Sequence, residues 1–278
     1  MNRCFYQQMT SRLMIVIGLV LILINALGYV LGTNVVEEND GHLSGAIQGY
    51  SYPTQDTLRL QGMLDKPMDS FDIDSVNNTI FESIIHSDKR KIHFYENWML
   101  WLGGKFYEPL SRTQNPRRIV LGGGAICSEV SAVFNSIANL NGFEARFVGL
   151  SGHVVSEIRT DNGWRVVDPD FGVTYPVGLK SLEKKEGINL MRELLTNRGF
   201  KAETIDQYIQ LFQSSSDNIV TEVGVPWGPR LYAIELTTEY LKWIIPIIII
   251  ILGIVLLRKT HNNRIHSDGN SATLHSRR

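Results

Sequence analysis

Cysteine is scarce in this chain of 278 residues, which contains only Cys4 and Cys127. The two residues are far apart in the sequence, so a disulfide framework is excluded as the basis of the fold. The chain also lacks an excess of positive charge, because its 27 Lys and Arg residues face 28 Asp and Glu residues, a formal net charge of −1. A protein that binds nucleic acid carries a basic surface, so the composition excludes this class of partner.

Charged residues are nearly absent from two stretches close to the ends of the chain. Residues 13–31 are apolar apart from Asn25, and residues 241–257 include five consecutive isoleucines. The first run is close to the length that crosses a bilayer as a helix. The second is short for a span, but its flanking aromatic residues suit a membrane interface and Lys242 can extend toward it. The sequence therefore predicts two transmembrane helices.

The alternative for the first apolar run is a secretory signal peptide that is cleaved near residues 26–28. The run is long for the apolar part of a signal peptide, and the small residues at the cleavage point fit poorly. We therefore favour a retained anchor. Both interpretations export the segment that follows.

Basic residues flank the outer ends of both apolar runs, which predicts the topology. The positive-inside rule places residues 1–12 and the tail 258–278 in the cytoplasm, and residues 32–240 across the membrane as one domain. We expect a bacterial inner-membrane protein with a periplasmic domain. The tail is polar and lacks apolar periodicity, which predicts disorder, and residues 32–70 are polar and glycine-rich, which predicts an irregular lead-in. The flanking basic residues are Arg3, Arg12, Arg258 and Lys259.

A run of three glycines precedes the second cysteine, in residues 122–127. After Cys127, apolar residues recur at helical spacing, and Gly142 lies where such a helix would end. The sequence thus predicts a helix that begins at about Cys127. Free backbone N–H groups and the positive end of the dipole in the first turn of a helix favour a thiolate. This pattern suits a nucleophile, although a lone cysteine is more often buried and inert.

Three segments after Gly142 alternate in the manner of β-strands, at residues 143–150, 153–159 and 164–168. The last two predict an antiparallel hairpin, with His153 at the start of one strand and Asp168 at the end of the other. Both polar side chains then lie at the end of the hairpin away from the turn. Direct pairing of the two requires a shifted turn or a bulge at Gly163, so we expect an irregular hairpin.

Four elements in this region resemble the transglutaminase-like superfamily. They are a cysteine at the start of a helix, Gly-Phe-x-Ala-Arg at 142–146, His-Val-x-x-Glu at 153–157 and Trp-x-x-x-Asp-Pro at 164–169. The resemblance covers residues 119–172. It implies an α+β fold with a papain-like core, in which the helix that carries the cysteine packs on an antiparallel sheet.

The same resemblance implies a catalytic triad, with Cys127 as nucleophile, His153 as base and Asp168 as the residue that orients the imidazole. A thiol, an imidazole and a carboxylate in this arrangement attack an amide or acyl carbonyl and form a thioester. Such chemistry needs no metal and no cofactor. The expected substrate is a protein, a peptide or another amide-bearing molecule of the cell envelope. The backbone N–H of Cys127 is one expected donor to the oxyanion.

Two alternatives to this enzyme remain open from the sequence. The superfamily includes inactive scaffolds as well as cross-linking enzymes, peptidases and amidases, so the chain could be a binding module in an envelope assembly. A metal site that combines Cys127 and His153 with Glu129 or Glu157 is a weaker alternative, because one cysteine and one histidine at this separation match no structural zinc pattern.

The predicted topology is tested by reporter fusions at Gly62 and after Arg278. We expect the reporter at Gly62 to be active outside the cytoplasm and the reporter at the C-terminus to be active inside it, because basic residues flank the outer end of each span. A cytoplasmic signal at Gly62 would contradict the topology.

Overall fold

The computed structural model describes residues 3–33, 55–213 and 218–275, which form two compact units. One unit combines the two ends of the chain with a short internal segment, as Met1–Gly32, His93–Phe106 and Leu236–Arg278. The other unit comprises Thr33–Ile92 and Tyr107–Glu235 and contains the sheet.

The described helices and strands alternate irregularly along the chain, as expected for an α+β protein. The helices are α1 Arg3–Leu31, α2 Gln55–Asp65, α3 Ile73–Ser83, α4 Trp98–Gly103, α5 Pro116–Gly122, α6 Cys127–Leu140, α7 Leu179–Leu182, α8 Lys185–Arg198, α9 Ala202–Gln213 and α10 Pro229–His275. The strands are β1 Ile85–His86, β2 Gly124–Ala125, β3 Ala145–Leu150, β4 His153–Thr160, β5 Gly163–Asp168, β6 Val173–Thr174 and β7 Ile219–Val220.

Five strands form one antiparallel sheet in the order β6-β5-β4-β3-β7. The predicted helix at Cys127 and the three predicted strands are confirmed, and Gly142 follows α6 with a φ of +83°. The change from a helical to an alternating pattern at this glycine therefore locates the boundary between α6 and the sheet.

The expectation of an irregular hairpin is wrong. Strands β4 and β5 keep one register from Thr160 opposite Gly163 to Ser156 opposite Val167, with a two-residue turn between them. Gly163 adopts a φ of +101° at this turn, which a glycine does without strain. No residue is inserted into the ladder. A regular register therefore determines where His153 and Asp168 lie, at the end of the hairpin away from the turn.

The two faces of the sheet pack against different sets of helices. Alternate residues Val154 and Ile158 of β4 belong to a core shared with α2, α3, α5 and α6, whereas Val155 belongs to a second core shared with α7, α8 and α9. This division follows from the alternation of side chains along a strand. The sheet is therefore covered on both faces, and β4 lies at its centre.

The predicted irregular lead-in and the predicted disordered tail differ from the structure. Within residues 32–70, Gln55–Asp65 is the helix α2, which buries Leu60 and Met63 one turn apart; residues 34–54 of this lead-in lie outside the described residues. The C-terminal helix α10 continues to His275 rather than ending near residue 257. No proline follows Pro246 in the sequence, so nothing interrupts the i→i−4 hydrogen bonds of the helix.

The unit that contains the chain ends includes two helices long and apolar enough to cross a membrane. The candidate spans are Tyr6–Leu31 and Pro229–Asn262, whose most apolar 18-residue windows have mean hydropathies of 2.7 and 2.6. These helices pack closely where glycines face the partner: a Cβ at Gly18 would lie 2.8 Å from the carbonyl oxygen of Pro246, and one at Gly253 would lie 2.9 Å from that of Ser11. Small residues at helix contacts are typical of membrane helices.

Two helix glycines provide a test of the packing around the sheet. A Cβ added at Gly187 of α8 would lie 2.3 Å from the carbonyl oxygen of Ser181 and 2.4 Å from the Cα of Leu182, so Gly187→Ala forces backbone atoms apart. We expect it to lower the free energy of unfolding by about 1–3 kcal/mol. Gly62→Ala in α2 is the matched control, because its Cβ would meet nothing within 4 Å.

The measurement is the melting temperature of the full chain in detergent, followed by tryptophan fluorescence. Gly62→Ala is expected to raise the melting temperature, because alanine favours a helix by about 1 kcal/mol over glycine. Equal effects of the two substitutions would contradict the described packing of α7 on α8.

Candidate active site

Cys127 is the first residue of α6, at the point where the chain leaves a two-stranded parallel pair. Strand β2 pairs with β1, with Ile85 opposite Gly124 and His86 opposite Ala125. Gly123 adopts a φ of +68°, which turns the chain from α5 into β2. Cys127 is partly exposed and is not in a disulfide. The glycine run therefore places Cys127, which is partly exposed, at the N-terminus of a 14-residue helix.

A buried ion pair holds the first turn of α6. The carboxylate of Glu129 accepts a hydrogen bond from the backbone N–H of Ile126 at 3.0 Å and two from the guanidinium of Arg112, at 2.9 and 3.1 Å. The same guanidinium donates to the carbonyl oxygens of Ser87 and Asp88, which directly follow β1. Arg112 therefore links the segment that follows β1 to the first turn of α6, the turn that begins at Cys127.

His153 is the first residue of β4 and is buried, with 3% of its surface exposed. Extending the register of β4 and β5 by one pair places Asp168 opposite Val155, two residues from His153 and on the same face. Diagonal neighbours of this kind are within reach of long side chains. The Nε2 of His153 accordingly lies 2.8 Å from Oδ2 of Asp168. The regular hairpin thus brings the two side chains together without the bulge that the sequence suggested.

The carboxylate of Asp168 is fully buried and accepts hydrogen bonds from four groups. Its Oδ1 accepts from the backbone N–H groups of Asp170 and Phe171, at 3.0 and 3.2 Å, in the turn that follows β5. Its Oδ2 accepts from His153 and from the hydroxyl of Tyr208, at 2.8 and 2.9 Å. A buried carboxylate is stable only when it is paired and hydrogen-bonded in this way.

The imidazole of His153 interacts with both the carboxylate and the thiol. Burial, the largest single influence, lowers its pKa, but the charge and hydrogen bond of Asp168 and the contact with Cys127 outweigh burial and raise the pKa well above its ordinary value. Since Nε2 is bonded to Asp168, the other ring nitrogen, Nδ1, is the one available to Cys127. The site therefore favours an imidazolium between a carboxylate and a thiol.

Tyr208 is a member of this cluster that the sequence pattern did not single out. It lies on α9, donates to Asp168, and accepts a hydrogen bond from the hydroxyl of Tyr175 at 3.3 Å. Burial and the nearby carboxylate raise the pKa of Tyr208 well above its ordinary value, so its proton stays on the phenol. In the sequence, the only feature of Tyr208 is its place in an amphipathic helical pattern. That place indicates a residue of the hydrophobic core, not of a site.

A second buried histidine–carboxylate pair lies next to this cluster. The Nδ1 of His86 is 2.8 Å from Oδ1 of Asp170, and His86 is paired with Ala125, two residues before Cys127. Sequence reasoning assigned His86 no role. The only signal for this pair is that Asp170 follows Asp168 closely in an Asp-Pro-Asp sequence.

The glutamates that the sequence proposed as alternative metal ligands are used in other contacts. Glu157 bonds to Arg146 at 2.7 Å and accepts the backbone N–H of Leu179 at 2.8 Å, and Glu129 pairs with Arg112. Among the described residues, no group of three or more His, Cys, Asp or Glu side chains is arranged to hold a metal ion. The described residues therefore do not form the alternative metal site of Cys127, His153 and a glutamate.

No protein-family model matches the chain, and no curated protein is significantly similar to it in sequence. Any assignment of function to Cys127, His153 and Asp168 therefore depends on the order and spacing of these residues and on their geometry.

The raised pKa of His153 predicts how its contribution to stability changes with pH. The imidazolium is stabilised in the folded state, so this contribution is complete below about pH 6.5, the ordinary value for histidine, and is lost as the pH rises through the higher pKa of the folded protein. We therefore expect His153→Gln to melt several degrees below the wild type at pH 6, and this gap to narrow toward alkaline pH.

Thermal unfolding of the full chain between pH 6 and pH 10 measures this gap. His261→Gln is the control, because that side chain is exposed on α10, and its melting temperature should follow the wild type throughout. A gap for His153→Gln that widens with increasing pH would contradict the charged pair.

Proposed function

We propose that this chain is a membrane-anchored, transglutaminase-like cysteine enzyme that acts on an amide or acyl group. The observation that carries the proposal is the linked series of a partly exposed cysteine at a helix N-terminus, a buried imidazole and a buried carboxylate. The helix of Cys127 packed on an antiparallel sheet supports a papain-like core.

In this proposal Cys127 is the nucleophile and His153 exchanges its proton. The thiolate attacks the carbonyl carbon, a C–S bond forms, and the carbonyl electrons move to oxygen. The backbone N–H of Cys127, at the first turn of α6, is the expected donor to this oxyanion. The C–N bond then breaks, the leaving amine takes the proton from His153, and a thioester remains on Cys127.

A second nucleophile resolves the thioester and regenerates the thiol. His153 removes a proton from that nucleophile, the nucleophile bonds to the carbonyl carbon, and the C–S bond breaks. Water as the nucleophile makes the chain a hydrolase, whereas an amine makes it a transamidase. Asp168 holds Nε2 of His153 through both steps, so that Nδ1 faces the reacting atoms.

Differences in exposure support this division of roles. Cys127 is the partly exposed residue of the cluster, whereas His153 is 3% exposed and Asp168 is fully buried. A nucleophile must meet its substrate, while its base and the orienting carboxylate are more effective in a dry environment, where their charges are poorly screened.

The apolar helices α1 and α10 support a location in the membrane. With basic residues at their outer ends, the proposal places the catalytic domain outside the cytoplasm, where protein, peptide and other amide-bearing substrates of the cell envelope are available. The substrate itself is identified by trapping the thioester on Cys127 and weighing its acyl group by mass spectrometry.

Alkylation of Cys127 as a function of pH tests the proposed activation. In a Cys4→Ser background the probe has one thiol to modify. At pH 6, where a free cysteine is almost entirely protonated, we expect iodoacetamide to modify Cys127 about tenfold or more faster than it modifies glutathione, because the imidazolium stabilises the thiolate. His153→Ala should remove this advantage.

Two further variants separate activation from a structural effect. Asp168→Asn is expected to slow alkylation less than His153→Ala, because it disturbs the orientation of the imidazole without removing it. Tyr175→Phe is the control, because its hydroxyl donates its hydrogen bond to Tyr208 and Tyr208 in turn donates to Asp168. Identical pH profiles for wild type and His153→Ala would show that His153 does not activate the thiol, and would favour a catalytically silent scaffold.

A further inference from the structure

The segment His93–Phe106, called the aromatic segment below, belongs to the unit that otherwise consists of the two chain ends. Five of its 14 residues are Phe, Tyr or Trp, whereas these types make up 9% of the whole chain. Much of this apolar surface is not buried, and the rings of Phe94 and Trp101 touch, with centroids 6.2 Å apart. A continuous exposed apolar patch marks an interaction surface. The large side chains exposed here are Phe94, Trp101, Leu102 and Phe106.

Hydrogen bonds hold the aromatic segment against α10. The amide nitrogen of Asn97 donates to the carboxylate of Glu239 at 2.8 Å. The Nζ of Lys242 donates to the backbone carbonyl oxygen of Glu96, also at 2.8 Å. Because Lys242 is the second residue of the apolar run 241–257, the aromatic segment lies beside the N-terminal end of that run.

Helix α1 contacts the aromatic segment at the same place. A Cβ at Gly28 would overlap the carbonyl oxygen of Tyr95, so this glycine lets the backbone of the segment lie directly on the helix. The amide of Asn25 donates to the carbonyl oxygen of Lys242 and joins α1 to α10 there. Since Gly28 is near the C-terminal end of the apolar run 13–31, the aromatic segment lies at adjacent ends of both apolar runs.

The charges of the aromatic segment are arranged as at a membrane surface. Its single carboxylate, Glu96, is 5% exposed and accepts a hydrogen bond from the backbone N–H of His93 at 2.6 Å. Its single lysine, Lys105, is exposed, and the ammonium lies 5.0 Å from the ring centroid of Trp101. Aromatic rings of membrane proteins concentrate at the level of the lipid headgroups, and a lysine beside them can extend to water or to a lipid phosphate.

The backbone of the aromatic segment determines how deep it can lie. Only Trp98–Gly103 is an α-helix. Irregular backbone does not face lipid in the hydrocarbon region, because nothing there bonds its polar groups. The segment therefore fits the headgroup layer, with its exposed apolar side chains directed toward the acyl chains. Tyr240 and Trp243 of α10 are exposed at the same level and complete an aromatic belt.

We propose that the aromatic segment is a third membrane contact of this chain, an anchor in the lipid headgroup layer at the outer ends of α1 and α10. The inference rests on the membrane location proposed for these two helices. Its exposed patch continues the apolar surfaces of helices that lipid already surrounds, which favours lipid over a protein as the partner. The unit that contains the sheet is then joined to membrane-bound segments at four points of the chain instead of two, since residues 92 and 107 flank the anchor.

Depth-dependent fluorescence quenching tests this contact. The full chain with Cys4→Ser and Cys127→Ser has no thiol, so one introduced cysteine carries an NBD probe in vesicles of phosphatidylcholine and phosphatidylglycerol. Leu102→Cys reports on the patch. Ile248→Cys, exposed in the middle of the apolar run of α10, is the deep reference, and Asn162→Cys, exposed in the turn between β4 and β5, is the aqueous reference.

We expect a lipid nitroxide near the headgroup to quench the Leu102→Cys probe at least about twofold more than a nitroxide at the bilayer centre, because interfacial side chains reach only the boundary between headgroups and acyl chains. The Ile248→Cys probe should show the reverse order, and neither nitroxide should quench the Asn162→Cys probe. Phe106→Cys gives a second reading if Leu102→Cys fails to fold, because Phe106 is 86% exposed.

The two references separate this inference from the proposed membrane location. If the patch probes match the aqueous reference while the Ile248→Cys probe is quenched, the lipid anchor is overturned and the span of α10 stands; the patch is then open to a protein partner. An unquenched Ile248→Cys probe would overturn the anchor together with that span. Patch probes quenched most strongly at the bilayer centre would also contradict the anchor, since they would place the segment inside the hydrocarbon core.

Discussion

The carboxylate of Asp168 is the constraint on which the domain that contains the sheet depends. A buried negative charge must be satisfied by several donors, and here they come from three parts of the chain: the start of β4, the turn after β5 and the helix α9. Loss of any one of these elements would leave a charge without full compensation in a dry interior. The need to stabilise one side chain therefore ties the sheet to the helices on its second face.

The same network separates two requirements on His153. Its position comes from the regular pairing of β4 with its neighbours, whereas its charge comes from Asp168 and Cys127. The strand places the ring at the end of the sheet, close to the first turn of α6, and the carboxylate determines which nitrogen faces the thiol. The rigid scaffold thus orients the ring, and the flanking charges set its protonation.

The sequence predicted the local parts of this structure well because they follow from short patterns. The helix at Cys127, the glycine that ends it and the three strands after Gly142 each depend on residues within one element. The contact between His153 and Asp168 was also expected, although for the wrong reason. A direct pairing was assumed, and the residues instead meet diagonally across a regular ladder.

The parts that the sequence did not predict depend on contacts between distant segments. Arg112 reaches Glu129 across 17 residues, His86 reaches Asp170 across 84, and Tyr208 reaches Asp168 across 40. Nothing local distinguishes these residues from an exposed arginine, a surface histidine or an ordinary core tyrosine.

The distribution of these partners has a consequence for transplanting the site. Residues 119–172 carry the cysteine, the histidine and the aspartate, and a designer would naturally graft this stretch onto another scaffold. Arg112, His86 and Tyr208 all lie outside it, so the graft would carry a carboxylate with one donor missing and a first helical turn without its guanidinium brace. The segment that would have to be transplanted with this candidate site is therefore larger than the motif. It extends from β1 to α9, and a shorter insert would keep the residues of the motif but lose the contacts that surround them.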